Sequence, residues 1–387
     1  MERKKIAILG ITGSIGSSSI EVVRKHPELF DIVFASAHNN YSELYKLAAE
    51  FSIPHLVLTN RLITNLPQPP ACVQTVDKGS DQMIDRLEEI DCDLVLNAIS
   101  GSAGLMASIT TIRLGKDLAL ANKESLVMAG HIINEELKIS ASKLLPVDSE
   151  HSAVFQAIGQ SPLSEVKKII LTASGGPFLD LPLADFKNIN LAQTLKHPTW
   201  DMGAKITVDS ATMMNKGLEV IEAKWLFMKD YEDISAVIHP QSIVHSFIEY
   251  QDGSILAQMG FPSMQLPILY AMTHPIHIAS KLPQSSIIDF PNLEFRELEQ
   301  ARYPLYYLAR EVGMKGGLLP TIMNSANEAA ISLFLAEKIK FTQIHTIIEN
   351  YLQQTENMLA PSLNDIILAN SMTYEKTLRD YKRLLKI

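Results

Sequence analysis

Two carboxylates in "VDSEHSA", Asp148 and Glu150, stand two residues apart after the apolar run "LLPVD". On an extended chain, residues two apart point to the same side. Both acids would then face one point at the carboxyl edge of a strand, where α/β proteins gather their ligands. Paired hard oxygen donors suit Mg²⁺ or Mn²⁺; two acids on a solvated loop are the plainer reading, and spacing leaves both open. A third acid lies in "VDSATMMNKGLEVIEAKW" (208–225). There Met214, Leu218, Ile221 and Trp225 recur at helical spacing, which predicts one helix with one buried face. Asn215, Glu219 and Glu222 form a separate polar stripe with Lys216 beside it. The stripe is either a solvated face with a Lys216–Glu219 pair worth about a few tenths of a kcal/mol, or Glu219 is a third metal ligand with Lys216 and Asn215 holding an anion.

Other residues carry weaker signals. Ser149, between two acids and before His151, resembles a nucleophile with a base, but no GxSxG elbow occurs in the chain. His274 and His277 form HxxH in a proline-rich stretch with no acid or cysteine beside them, which argues against zinc. His239 and His245 flank a strand and read as structural.

A cofactor site is suggested by "GITGSIG" (10–16), which follows the apolar run Ile6 to Leu9. Backbone N–H groups at a helix N-terminus favour a pyrophosphate, and a turn of this kind after the first strand is where a doubly wound sheet binds a dinucleotide. The GxxGxxG spacing is not the common GxGxxG, and a tight turn needs glycine in any case. The helix is expected to start near Ser17. The second strand ends "ASAHNNY": His38, Asn39 and Asn40 stand where an NAD site places an acid, which favours NADP.

The elements that must hold these residues follow from the apolar runs. Strands are predicted at 6–10, 31–37, 55–59, 93–98, 117–121 and 144–148, separated by amphipathic segments, which makes a parallel sheet covered on both faces. Farther on, 166–176 reads as a strand entering a glycine turn, and 242–250 with 254–260 as a hairpin about Gln251-Asp252-Gly253. Prolines punctuate 262–291. Helical periodicity returns near 300, with Ser325 and Glu328 at capping-box spacing before "AAISLFLAEKI". The expected organisation is an N-terminal Rossmann-like domain over 1–146, a central α+β catalytic and dimerisation domain over 147–273, a linker over 274–299 and a C-terminal helical bundle over 300–387. A lid loop is expected near 174–204.

Composition limits the function classes. The 387 residues are 47% hydrophobic and 20% charged with a net charge of −9, which argues for large cores and against a nucleic-acid partner. Cys72 and Cys92 are the only cysteines, as expected in a reducing compartment. No apolar run approaches the ~18 residues of a membrane span. The start "MERKKIAILG" with Ala35-Ser36-Ala37 imitates a signal peptide, but Thr12-Gly13-Ser14 breaks the apolar part and charged residues intervene; the expectation is a cytoplasmic protein.

The strings "GITGSIG", "ANKESLV" (121–127), "VDSEHSA" (147–153), "ASGGPF" (173–178), "HPTWDMG" (197–203) and "DSATMMNKGLE" (209–219) together resemble the 1-deoxy-D-xylulose 5-phosphate reductoisomerases, in order and over essentially the whole chain. The resemblance implies a V-shaped homodimer in isoprenoid biosynthesis. It implies an enzyme that uses NADPH and Mg²⁺, Mn²⁺ or Co²⁺ to rearrange and reduce a sugar phosphate to 2-C-methyl-D-erythritol 4-phosphate. Matched motif by motif, Asp148, Glu150 and Glu219 would ligate the metal. Lys123 and Ser149 would touch the substrate backbone, and Ser174, His197, Ser210, Asn215 and Lys216 would hold it, mostly at the phosphate. Thr12, Gly13, Ser14, Ile15, Asn122, Glu124 and Gly203 would line the cofactor site, with His38, Asn39 and Asn40 near the adenosine phosphate. Trp200 and Met202 would belong to the lid. Two departures stand out. Many members carry a glycine and a basic residue around 38–40, and Thr199 and Asp201 are unusual in the lid; Asp201 is expected to point outward, so that Asp201→Ser leaves KM nearly unchanged. The competing readings are a metal-independent NADP oxidoreductase without rearrangement, which a chelator test would separate, and a silent nucleotide-binding protein.

Overall fold

A computed structural model describes residues 3–200 and 202–385. Asp201 lies outside the described residues. Packing divides the chain into two compact units, one made of Met1–Ser125, Ile132–Ser152 and Ser263–Gln284, the other of Leu126–His131, Ala153–Pro262 and Ser285–Ile387. The boundaries expected at 146/147, 273/274 and 299/300 do not coincide with these divisions.

The first unit is built on a seven-stranded sheet: β1 (Lys4–Leu9), β2 (Phe30–Ala37), β3 (His55–Leu58), β4 (Thr75–Lys78), β5 (Leu94–Asn97), β6 (Asp117–Leu120) and β7 (Leu144–Pro146). All neighbours pair parallel in the order β4-β3-β2-β1-β5-β6-β7. The chain therefore starts in the middle, runs outward to β4 and returns to the other side of β1, leaving a switch point between β1 and β5 where ligands gather. Strands with helices on both faces become continuous apolar runs; Ile6 to Leu9 and Leu94 to Leu96 are fully buried. β4, "TVDK", is half-buried throughout, and as an edge strand it has no apolar alternation to give it away. The helix Gln265–Thr273, from the end of the expected central domain, packs on the helix Ser14–Lys25 of this unit, where Lys25 Nζ donates to Gln265 Oε1 at 2.9 Å.

The second unit holds a four-stranded sheet of β8 (Val166–Ala173), β9 (Ile234–Ile238), β10 (Val244–Tyr250) and β11 (Ile255–Met259), ordered β11-β10-β8-β9. β10 and β11 form the expected antiparallel hairpin. Helices Met214–Phe227, Pro304–Lys315, Leu319–Leu335, Phe341–Gln353 and Leu363–Leu384 share the adjoining core. Two expectations fail here. The segment 208–225 is two helices, Ala204–Thr212 and Met214–Phe227, broken at Met213, whose φ of 59° is left-handed. Ser325 caps nothing: its helix begins at Leu319 behind Pro320, a residue suited to the first turn, and its hydroxyl donates to Asn370 O at 2.6 Å.

Among the described residues no helix is long and apolar enough to cross a membrane.

Candidate active site

The glycine turn joins β1 directly to its helix. Gly10 has a φ of +78°, and a Cβ there would lie 2.7 Å from Ala98 O of the strand-end across the switch point. Its N–H donates to Ser36 O at 3.0 Å and to Ser36 Oγ at 3.2 Å, tying the turn to the end of β2. Gly13 precedes the helix, which starts at Ser14, one turn earlier than expected, and no side chain caps its first N–H groups. Those donors, with the helix dipole behind them, form an anion site made of backbone. A Cβ on Gly16 would stand 2.4 Å from Gly10 O and Ile11 O, so the helix can approach the turn this closely only with glycine there. Thr12, Gly13, Ser14 and Ile15 all lie in this turn.

At the end of β2, His38 Nδ1 lies 2.9 Å from Thr59 Oγ1, and Asn39 Oδ1 accepts from Asn60 at 2.7 Å. Asn40 caps the next helix through Glu43 N, 3.2 Å away. Asn122 caps the helix Lys123–Ile139 and also donates to Ile99 O and Gly101 O, each at 2.7 Å. Its amide is thus occupied in holding the loop after β5, with Glu124 Oε2 a third acceptor at 3.2 Å.

β7 stops at Pro146 and a helix begins at Ser149. Asp148 and Glu150 therefore do not share the face of an extended strand; Asp148 stands just before the helix and Glu150 in its first turn. Lys123 Nζ pairs with Asp148 Oδ2 at 2.5 Å. Ser149 Oγ donates to Glu150 Oε2 at 2.5 Å, and His151 Nδ1 lies 3.9 Å from Asp148 Oδ2. Oxygen donors are so gathered at one end of the sheet, with a lysine as the local countercharge.

The second unit holds a separate polar cluster. Ser174, just past β8, and Ser210, in the helix Ala204–Thr212, each place Oγ 3.1 Å from His197 Nε2. The other ring nitrogen, Nδ1, accepts the N–H groups of Thr199 at 3.2 Å and Trp200 at 3.0 Å. Backbone N–H can only donate, so Nδ1 carries no proton and Nε2 does. His197 is therefore neutral, and burial drives its pKa down to about 4. With Nε2–H donating to the serine oxygens, both hydroxyl protons are left to point at an anion. Trp200 lies beside His245, ring centroids 6.3 Å apart. Met202 and Gly203 lead into the helix, with Gly203 as its N-cap.

Six residues beyond Met213, Glu219 is fully buried and accepts from both Asn215 and Lys216. Lys216 and Glu222 are buried as well, which excludes the solvated-face reading of this stripe. A buried carboxylate is tolerated only with a cation and hydrogen bonds around it. Met214, Leu218 and Ile221 face the helical core as their spacing predicts. Of the other histidines singled out, His239 donates from Nδ1 to Glu294 O at 2.8 Å and accepts from Ile243 N at 3.1 Å, and His277 stacks on Tyr270.

Comparison with known proteins decides the family. The family model described as 1-deoxy-D-xylulose 5-phosphate reductoisomerase matches residues 6–130, that of its C-terminal domain residues 144–227, and a further DXP reductoisomerase C-terminal domain residues 259–376. The 1-deoxy-D-xylulose 5-phosphate reductoisomerases of Clostridium acetobutylicum and Geotalea uraniireducens are 42% and 44% identical, over 94% and 96% of this chain and 96% and 97% of their own. The chain belongs to the 1-deoxy-D-xylulose 5-phosphate reductoisomerase family. A crystal structure of DOX-P reductoisomerase with NADPH, fosmidomycin and magnesium superposes with a TM-score of 0.91 at 34% identity, covering 99% of both chains. The Zymomonas mobilis reductoisomerase in complex with NADPH gives 0.90 at 35%, covering 98% of this chain and 99% of that one.

Within this reductoisomerase chain, sequence reasoning missed the support under Ser210. Asp209 Oδ1 accepts from Asn327 Nδ2 at 2.7 Å while Asp209 Oδ2 pairs with Lys205 at 2.9 Å. Asn327, like Thr321, Asn324 and Ser325, is fully buried in the helix Leu319–Leu335. The polar residues gathered in the first half of a helix that is otherwise largely apolar were the available signal.

Proposed function

We propose that the chain converts 1-deoxy-D-xylulose 5-phosphate to 2-C-methyl-D-erythritol 4-phosphate, using NADPH and a divalent metal ion. The observation that carries this reading beyond family membership is the fully buried Glu219 with Asn215 and Lys216, an enclosed carboxylate and lysine of the kind that suits a cation beside an anionic substrate.

Asp148, Glu150 and Glu219 are assigned as metal ligands. Their donor set is all oxygen, which fits Mg²⁺, Mn²⁺ or Co²⁺, and the lysines on Asp148 and Glu219 supply the positive charge those acids otherwise need. When bound, the metal acts as a Lewis acid on the substrate's hydroxyketone oxygens. Ser174 and Ser210 donate their hydroxyl protons to the phosphate, His197 holds them in that orientation, and Lys216 and Asn215 complete the anion site. This remote binding energy positions the reacting carbons. Lys123 and Ser149 hold the substrate's backbone near Asp148 and Glu150. The segment with Trp200 and Met202 serves as the lid that excludes water, so that the intermediate aldehyde meets hydride. The turn at Gly10–Gly16 holds the pyrophosphate, with Asn122, Glu124 and Gly203 in the same cofactor site and His38, Asn39 and Asn40 at the adenosine end. Gly10's positive φ and the uncapped helix after Gly13 support the fit.

A homodimer is part of this proposal. β11 is an edge strand whose Ile255 and Leu256 are exposed, and an exposed apolar edge invites pairing with an identical copy. We also propose a cytoplasmic location, supported by the free thiols Cys72 and Cys92.

The test mixes purified protein with 1-deoxy-D-xylulose 5-phosphate, Mn²⁺ and NADPH and follows nicotinamide absorbance. Substrate-dependent oxidation that stops on adding a chelator is the expected result; oxidation indifferent to the chelator would favour a metal-independent reductase.

A further inference from the structure

In a sheet of this kind, dinucleotides are discriminated at the end of the second strand: an acid there holds a 2′-hydroxyl, and a nearby arginine accepts a 2′-phosphate. Here β2 runs into His38, Asn39 and Asn40, with no acid, lysine or arginine among them. A permanent cation for an anion at this edge must therefore come from a neighbouring element.

The sheet supplies one. Parallel pairing of β2 with β3 continues past the strands, with Thr59 N donating to Ala37 O at 2.9 Å and Asn60 N to His38 O at 3.2 Å. The side chains meet as well, Asn60 Nδ2 donating to Asn39 Oδ1 at 2.7 Å and Thr59 Oγ1 lying 2.9 Å from His38 Nδ1. Arg61 is the next residue. Its guanidinium pairs with Asp81, in the first turn of the helix Ser80–Glu89, and lies over Gly79. A Cβ on Gly79 would stand 2.4 Å from Arg61 Nε, so the guanidinium lies directly against this turn, whose φ of +115° itself favours glycine. The same loop is tied down by Lys78, which donates to Ile63 O at 2.7 Å. Arg61 is well exposed, and one carboxylate leaves several of a guanidinium's N–H donors available.

We propose that Arg61 is the specificity residue that binds the 2′-phosphate of NADPH, serving from the loop after β3 the end of β2 that carries no lysine or arginine of its own. Asp81 and Gly79 hold its planar fork in place, as suits bidentate recognition of a phosphate. The assignment rests on the NADPH-dependent reading above.

Direct binding tests it without turnover. Titrations of NADPH and NADH, followed by nicotinamide fluorescence, are compared for the intact wild-type protein, Arg61→Ala and Arg61→Lys. A charge-assisted contact predicts that Arg61→Ala weakens NADPH about tenfold or more while NADH changes less than about twofold. Arg61→Lys should recover part of the loss, since it keeps the charge and loses the fork. Competition by 2′,5′-ADP against 5′-ADP should lose its preference in the alanine variant. Unchanged NADPH affinity in Arg61→Ala, or equal weakening of both dinucleotides, would overturn the assignment while leaving the reductoisomerase reading intact. Failure of the wild-type protein to bind NADPH at all would overturn both.

Discussion

The two anion sites proposed for this chain are made of different materials. In the first unit the turn from Gly10 to Gly16 is backbone: a positive φ, uncapped N–H groups and a glycine so tightly enclosed that a Cβ would meet carbonyl oxygens at 2.4 Å. In the second, Ser174, His197, Ser210, Asn215 and Lys216, with the buried carboxylate of Glu219 against the last two, act through side chains. A site of backbone fails through sterics, and its loss is felt by the cofactor and the fold together. A site of buried charges fails through chemistry, and a change can stop turnover with the fold nearly intact.

That contrast can be broken most sharply at Glu219. Glu219→Gln removes a charged ligand and should lower kcat by about 10³-fold or more, since metal stabilisation is worth several kcal/mol, while the dissociation constant for NADPH, measured by fluorescence, stays unchanged. Normal turnover in that variant would take Glu219 out of the metal shell. The converse change is Gly16→Ala. Its methyl must displace backbone, at a cost of about 1–3 kcal/mol; thermal unfolding should shift down and NADPH binding should weaken markedly, with the phosphate-dependent part of substrate binding spared. Lys216→Ala should raise KM for the sugar phosphate about tenfold and weaken a phosphate-free analogue far less; equal losses would contradict a phosphate role.

The smallest effect concerns pH. His197 is held neutral, with its pKa lowered to about 4 against 6.5 for the free side chain. Between those values the unfolded chain binds the proton and the folded one does not, so this group's contribution is complete above about pH 6.5 and is lost progressively toward pH 4. His197→Gln should flatten that part of the stability curve in denaturant unfolding, and an unaltered acid slope would show that the ring is not enclosed in solution.

Legibility followed the same division. The parallel strands of the first unit were readable because both faces are covered, which turns each into a continuous apolar run; β4 was not, having only half-buried polar residues to show. β9, five residues with no alternation, was missed for a similar reason. The break at Met213 is invisible in the periodicity because the apolar spacing from Met214 onward is that of an ordinary helix. Among the site residues, the glycine turn could be read locally, whereas the sharing of His197 by Ser174 and Ser210, or of Asp209 by Asn327 and Lys205, joins residues far apart in the chain. Family resemblance supplied the first of these sets, and neither composition nor spacing could supply the second. Ser325 shows the opposite hazard, a capping signature consumed by a tertiary hydrogen bond.

The first unit takes its last stretch, Ser263–Gln284, from beyond most of the second. During synthesis on the ribosome the seven strands are all made by Pro146, yet the helix Gln265–Thr273, whose Met272 O receives Lys4 Nζ at 3.2 Å, does not exist for more than a hundred further residues. The face of Ser14–Lys25 that this helix covers is therefore completed by residues made long after the seven strands.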